Sequence, residues 1–312
     1  MTAPSVRVTA RPRSLTRIAP AWLLLAAALV VALAACGGAA SSTPSTSPDP
    51  SPASPLPPTS EPTVGEIAHA TGTTDVVFRF EEGGGIVPID FFATYAPMFT
   101  IYGDGTVIFR DLFAALPSNA DGLARLSPFL TVKLTEVELQ AFLRYAIGDG
   151  GLSVARGHYD GPGADLPTST FTLTAAGTTK VVSVFAIGME RPDSVDSPVL
   201  QGLARLGERI RAFSSEVQGE VAWVPDRWRG VLTPDSLNPP RAWPWPAIVP
   251  ADFAQRQEPN APGFPVRTMS LDEVSLLGLE DIDGGFSSLT LAGPDGKAYS
   301  FALRPLLPDD QY

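Results

Sequence analysis

Strand-like patterning begins near residue 74 and recurs as paired runs joined by glycine turns. Residues 75–80 (DVVFRF) are β-rich and half alternating, as expected of a strand with one buried face. Residues 98–102 and 106–110 flank Gly103-Asp104-Gly105, a hairpin signal in which glycine supplies positive φ. A helix is predicted to start at Thr135, where Thr135 and Glu138 have capping-box spacing. Leu139, Phe142, Leu143 and Ile147 mark its apolar face, and Gly148 supplies the stop.

The next unit repeats that order. Residues 168–174 and 180–185 read as a second hairpin about Ala176-Gly177. Ser197-Pro198 then opens a helix with Leu200, Leu203, Leu206, Ile210 and Phe213 on one stripe. Residues 288–292 and 298–302 form a third hairpin about Pro294-Asp295-Gly296, preceded by a short helix opening at Ser270. Hairpin followed by helix, twice, predicts an α+β fold of antiparallel β-hairpins with helices packed on one face. Hairpins need no parallel crossovers, which argues against a doubly wound nucleotide-binding fold.

Residues 219–264 differ. They hold nine prolines and four of the five tryptophans, and are expected to be an extended, mostly irregular segment pinned by aromatic anchors. This is where the domain, 67–312, would divide into subdomains. One compact unit is favoured because the terminal hairpin is too small to fold alone.

The N-terminus reads as an address. Arg7 to Arg17 form a basic region, and residues 18–35 are an apolar run broken by Pro20. The run tempts a transmembrane reading, but it ends in Leu33-Ala34-Ala35-Cys36-Gly37, which resembles the bacterial lipobox. By that resemblance residues 1–35 are a lipoprotein signal peptide and Cys36 is the lipidated first residue of the mature chain, attached to the membrane through its acyl groups. The alternative is a signal anchor that merely contains a cysteine. Against it, the single cysteine of 312 residues sits at the lipobox position and a polar stretch begins directly after it. Residues 36–66, rich in Pro, Ser and Thr, cannot bury enough surface to fold and are expected to be a disordered tether. About 25 such residues at ~3.1 Å each reach roughly 80 Å.

Composition then excludes several classes. The chain carries 22 basic and 33 acidic residues, and the first 35 residues hold Arg7, Arg11, Arg13 and Arg17 but no acid. The mature part is more acidic still, so nucleic acid is a poor partner. A lone cysteine rules out an intrachain disulfide framework.

Catalytic and metal-binding patterns are sparse. His69 and His158 are the only histidines, and neither has a partner at ligand spacing, so no metal site or cofactor is indicated. The acidic loops at 280–285 and 158–165 lack the ordered ligand pattern of a calcium loop. His158 beside Asp160 is more simply an exposed loop histidine than a catalytic base. Glu81 and Glu82 are adjacent on a strand and point to opposite faces. No catalytic residue is assigned, and an enzyme has little support.

One surface stands out. Trp223, Trp228, Trp243 and Trp245 are interleaved with prolines and with Arg227, Arg229 and Arg241. Trp and Arg are enriched at binding hot spots, so Trp223, Arg227, Trp228, Arg241, Trp243 and Trp245 form a candidate binding surface. The competing reading is that the tryptophans cover a sheet edge.

Several stretches together resemble a family of uncharacterised secreted lipoproteins from GC-rich bacteria: Gly84 to Asp90, Phe99 to Gly105, Leu134 to Leu139, Arg241 to Pro244 and Arg304 to Asp309. The resemblance covers about residues 74–309 and implies a shared fold and an exported location, with no activity to carry over. The expected function is therefore a membrane-anchored extracytoplasmic lipoprotein acting as a non-enzymatic binding module of the cell envelope, with an envelope protein or glycan as partner. The alternatives are a transporter's solute-binding lipoprotein and, with less support, an envelope hydrolase.

Overall fold

The computed structural model describes residues 65–85, 92, 94–189, 193–234, 239–256 and 263–310. The signal at 1–35, Cys36 and the tether through residue 64 lie outside the described residues.

Fourteen named strands fall into two sheets. The first has the order β5-β7-β6-β1-β2-β3-β4-β8. Its strands are β1 (Val76–Gly83), β2 (Phe99–Tyr102), β3 (Thr106–Arg110), β4 (Phe129–Lys133), β5 (His158–Tyr159), β6 (Thr168–Ala175), β7 (Thr178–Phe185) and β8 (Val221–Ala222). The second has the order β10-β13-β14-β9-β12-β11. It is built from β9 (Arg227–Pro234), β10 (Arg241–Ala242), β11 (Ala254–Arg256), β12 (Phe264–Ser270), β13 (Phe286–Ala292) and β14 (Ala298–Pro305). Both are mixed: β5–β7 and β10–β13 are parallel pairs in otherwise antiparallel ladders.

Local chemistry explains the first sheet. Ala176 and Gly177 both take positive φ between β6 and β7, the two-residue turn whose twist matches its strands. Helix α1 (Glu136–Ile147) starts on a complete capping box: the Glu138 amide donates to Thr135 Oγ1, and the Glu138 carboxylate accepts from the Thr135 amide at 2.8 Å. In helix α2 (Ser197–Arg211) the N-cap position falls on Asp196, which makes no side-chain capping bond, and Ser197-Pro198 occupy the first turn. Phe142 and Leu143 of α1 and Leu203 and Leu206 of α2 bury against Phe78, Phe80, Phe99 and Phe171 on one sheet face. Gln140 docks the start of the domain on α1 by exchanging two bonds with the Ile67 backbone, at 2.8 and 2.9 Å.

The α+β expectation is overturned. Strand outweighs helix, 35% against 18%, and the fold is predominantly β. The helices α1 and α2 do cover the first sheet, but the second sheet has a core of its own. Trp228, Leu232, Trp245, Phe286 and Phe301 are among its members, joined by Val274 of the five-residue helix α3 (Leu271–Ser275) and by loop residues such as Leu123, Ile248 and Ile282. The proline-rich segment is irregular over most of its described residues, as expected, but it also supplies β8, β9, β10 and β11, and β9 is an interior strand of the second sheet that the expectation did not include. Strand β9 is hydrogen-bonded to β14 on one edge and β12 on the other, and Trp228 to Leu232 are buried on both faces, so burial there does not alternate. Its proline, Pro234, stands at the strand end, where a missing N–H costs least.

The two sheets are tied at several points. The Leu126 amide donates to the Gly285 carbonyl at 2.9 Å, and Arg110 donates to the Gly284 carbonyl at 3.0 Å. A Cβ at Gly284 would overlap the carbonyl oxygens of Leu126 and Ser127, so the close approach requires glycine there. Residues 55–312 form one compact unit. Among the described residues every core cluster draws its members from within it, so the described contacts that hold the fold lie inside residues 55–312.

Candidate functional site

The six residues of the sequence-derived surface do not share one face. Trp228, on β9, is 1% exposed and sits in the second core. Trp245 is also buried, and its indole N–H donates to the Glu273 carbonyl at 2.8 Å. Both are thereby removed from any solvent-facing surface. Trp243 is half-buried; it donates to the Ile248 carbonyl at 2.7 Å and meets Trp245 edge-on at 5.0 Å. Trp223 is half-buried against Phe129. These tryptophans peg a proline-rich chain to the sheets, burying large apolar rings while their N–H groups, Trp228 apart, find backbone acceptors where the pegs lie deep.

Arg227 and Arg241 keep solvent exposure. Arg241 borders two neighbouring open clefts of about 370 and 430 Å³, shared with Asp121 and, in the larger, with Ser287, Ser288 and Thr290. Its guanidinium is 3.8 Å from Asp121, whose two oxygens already accept from Arg125 at 2.8 and 2.9 Å. Hydrogen bonds from Arg125 and from the Leu123 amide hold the Asp121 carboxyl well below the usual carboxylate range. The clefts can hold a small polar group, but they are wide, and in the smaller one Ser118, Asp121, Arg125 and Glu280 are bonded to one another.

The other sequence candidates stay apart. His158 and Asp160 meet at 3.0 Å in open solvent, 60% and 93% exposed. Glu82 turns to the helix side, where it accepts from Arg211 and from Ser169. Glu81 turns to the opposite side, where burial raises its pKa. Among the described residues no group of three or more His, Cys, Asp or Glu is placed to hold a metal ion, and no helix is long and apolar enough to cross a membrane.

The most distinctive site is one the sequence reading passed over. Beyond β3 the chain runs Leu112-Phe113-Ala114-Ala115-Leu116, and all five residues are exposed, Phe113 to 79% and Leu116 to 71%. Exposed apolar runs of this length are a fault in a sequence unless they serve a function. Leu112 and Leu116 border a cavity of about 220 Å³ whose other walls include Tyr95, Ala96, Met98 and Leu126.

Arg110, the last residue of β3, is the cation of this pocket. Its guanidinium lies 4.0 Å over the Phe129 ring and donates to the Ser127 and Gly284 carbonyls. Its partners are thus neutral; among the described residues no carboxylate pairs with it. Burial, and next the charge of Arg304, lower its pKa to about 10, which leaves it ionised at neutral pH. Glu82 also borders the cavity, where it is paired with Arg211. An apolar wall, one uncompensated cation and an exposed apolar rim suit a ligand that is mostly hydrocarbon.

Comparison with family models, with curated proteins and with solved structures finds nothing that matches this chain.

Proposed function

We propose that this chain is a lipid-anchored extracytoplasmic binding module of the cell envelope, and that the pocket beside residues 112–116 is its ligand site. One observation carries the reading: five consecutive apolar residues are left in solvent at the mouth of an apolar cavity. The lipobox-like ending at Cys36, the tether at 36–66 and the resemblance to secreted lipoproteins support the anchored, exported part. The catalytic alternative has only the exposed His158–Asp160 pair behind it. The solute-binding alternative draws on the same pocket, and the cavity's small volume favours it over a glycan chain.

Photo-crosslinking in cells tests the reading. A benzophenone side chain is placed at Phe113 and, as a control, at Val195, which is more exposed still at 93%. The expected result is a defined adduct from position 113 and none from 195. Equal labelling at both positions, or none at either, removes the pocket from the proposal.

A further inference from the structure

Resting on that reading of the pocket, we infer that its ligand is an apolar chain ending in a single carboxylate, a fatty-acid-like monoanion whose head meets Arg110 and whose tail lies along Met98, Leu112, Leu116 and Leu126.

Charge complementarity selects the head. Arg110 spends hydrogen bonds on two backbone carbonyls, Ser127 and Gly284, and lies over an aromatic ring. None of these cancels a full positive charge, and burying an ion without a counter-ion is costly. A carboxylate restores the balance and matches the planar guanidinium with charge-assisted hydrogen bonds. Glu82 on the same wall limits the charge to one. Although paired with Arg211, it stays negative nearby and opposes a second anionic group, which disfavours a phosphate dianion.

Size and polarity select the tail. A volume of about 220 Å³ holds roughly seven water-sized groups at ~30 Å³ each, so an eight-carbon chain fills it. Longer chains would emerge across Leu112, Phe113 and Leu116, which gives the exposed run something to cover. A peptide C-terminus supplies the same carboxylate, and Thr94, Tyr95 and Ser127 also line the cavity, but most of the wall (Ala96, Met98, Leu112, Leu116 and Leu126) is apolar and suits hydrocarbon better than a run of amides.

The test is calorimetric titration of the folded unit, residues 55–312, with octanoate, octan-1-ol and N-acetyl-leucine at pH 7. Octanoate is expected to bind saturably at one site, about ten-fold or more tighter than either of the others. Leu116→Glu places a like charge on the exposed rim; it should weaken octanoate at least ten-fold while the urea midpoint stays unchanged. Arg110→Gln should bring octanoate down to the level of octanol, and the rim variant carries the test if this one fails to fold. Equal binding of octanoate and octanol, preference for N-acetyl-leucine, or indifference to Leu116→Glu would overturn the inference. Absent octanoate binding with an intact adduct at position 113 defeats the ligand class alone; absence of both defeats the pocket.

Discussion

Arg79 on β1 and Asp309 beyond β14, 230 positions apart in the chain, meet through both carboxylate oxygens at 2.7 and 2.8 Å. The Tyr102 hydroxyl donates to the same carboxylate at 2.8 Å. Asp309 thus closes the second sheet's exit strand onto the first sheet. Burial, the largest single influence, would lower the Arg79 pKa; the charge and hydrogen bonding of Asp309, with smaller help from Tyr102 and Glu81, together outweigh it and raise the pKa instead. Burial, and then Asp309, raise Tyr102 well above the ordinary tyrosine value, so it stays a donor.

Asp309→Asn should therefore loosen the closure of the domain. Both partners keep about a fifth of their side chains in solvent, so the expected loss is about 1–3 kcal/mol, below the ~3–5 kcal/mol of a fully buried pair broken on one side. Urea unfolding measures it as a lower midpoint with an unchanged slope. An unchanged midpoint would mean that the Arg79–Asp309 pair adds nothing net to the closure, which then rests on apolar contact and the backbone ties at Gly284 and Gly285.

Two carboxylates on this side of the first sheet respond to acid in opposite senses. Burial would raise the Asp310 pKa, but hydrogen bonding and charge from Arg304 outweigh it and hold it low. Its contribution is present above the unfolded value of about 3.9 and is lost as pH falls through the lower folded value. Burial raises Glu81, so its ionised form weakens the fold at neutral pH and protonation relieves this as pH falls. Glu81→Gln should accordingly raise the unfolding midpoint at pH 7, and the gain should vanish below about pH 4. A gain that persists at pH 3 would assign the effect to packing instead.

Trp228 and Trp245 occupy the same core with different polar accounts. The Trp245 N–H reaches the Glu273 carbonyl, whereas Trp228 Nε1 is buried without a hydrogen-bond partner among the described residues. Replacing each with Phe removes similar volume. Trp245→Phe additionally strands a carbonyl and should cost about 1 kcal/mol more than Trp228→Phe. Thermal unfolding of the two variants side by side checks the order, and the reverse order contradicts the assignment.

The first sheet and its helices are legible in the sequence because each signal there is local. Alternation at 168–174, the Ala176-Gly177 turn and the Thr135–Glu138 box act within a few residues. In the second sheet the β13–β14 hairpin about Pro294-Asp295-Gly296 and the Ser270 helix start are just as local and legible, whereas β9 is hidden for the opposite reason. In β9 the residues Trp228 to Leu232 are all buried, and the tryptophans that mark binding surfaces also make good core pegs. Composition could not separate those roles. The pocket was missed because Leu112 to Leu116 reads as core by hydropathy; only its exposure in the fold makes it unusual. The adjoining Arg110 carried no signal either, since its neutral partners among the described residues, Ser127, Phe129 and Gly284, lie far away in sequence.

The central claim is that the domain holds an apolar ligand in the pocket beside residues 112–116. The most direct measurement is intact-mass analysis under non-denaturing conditions of protein released gently from the cell envelope, wild type beside Leu116→Glu. The account predicts a small non-covalent adduct on the wild type that is absent from the variant, with both chains folded. Identical masses for the two would contradict it.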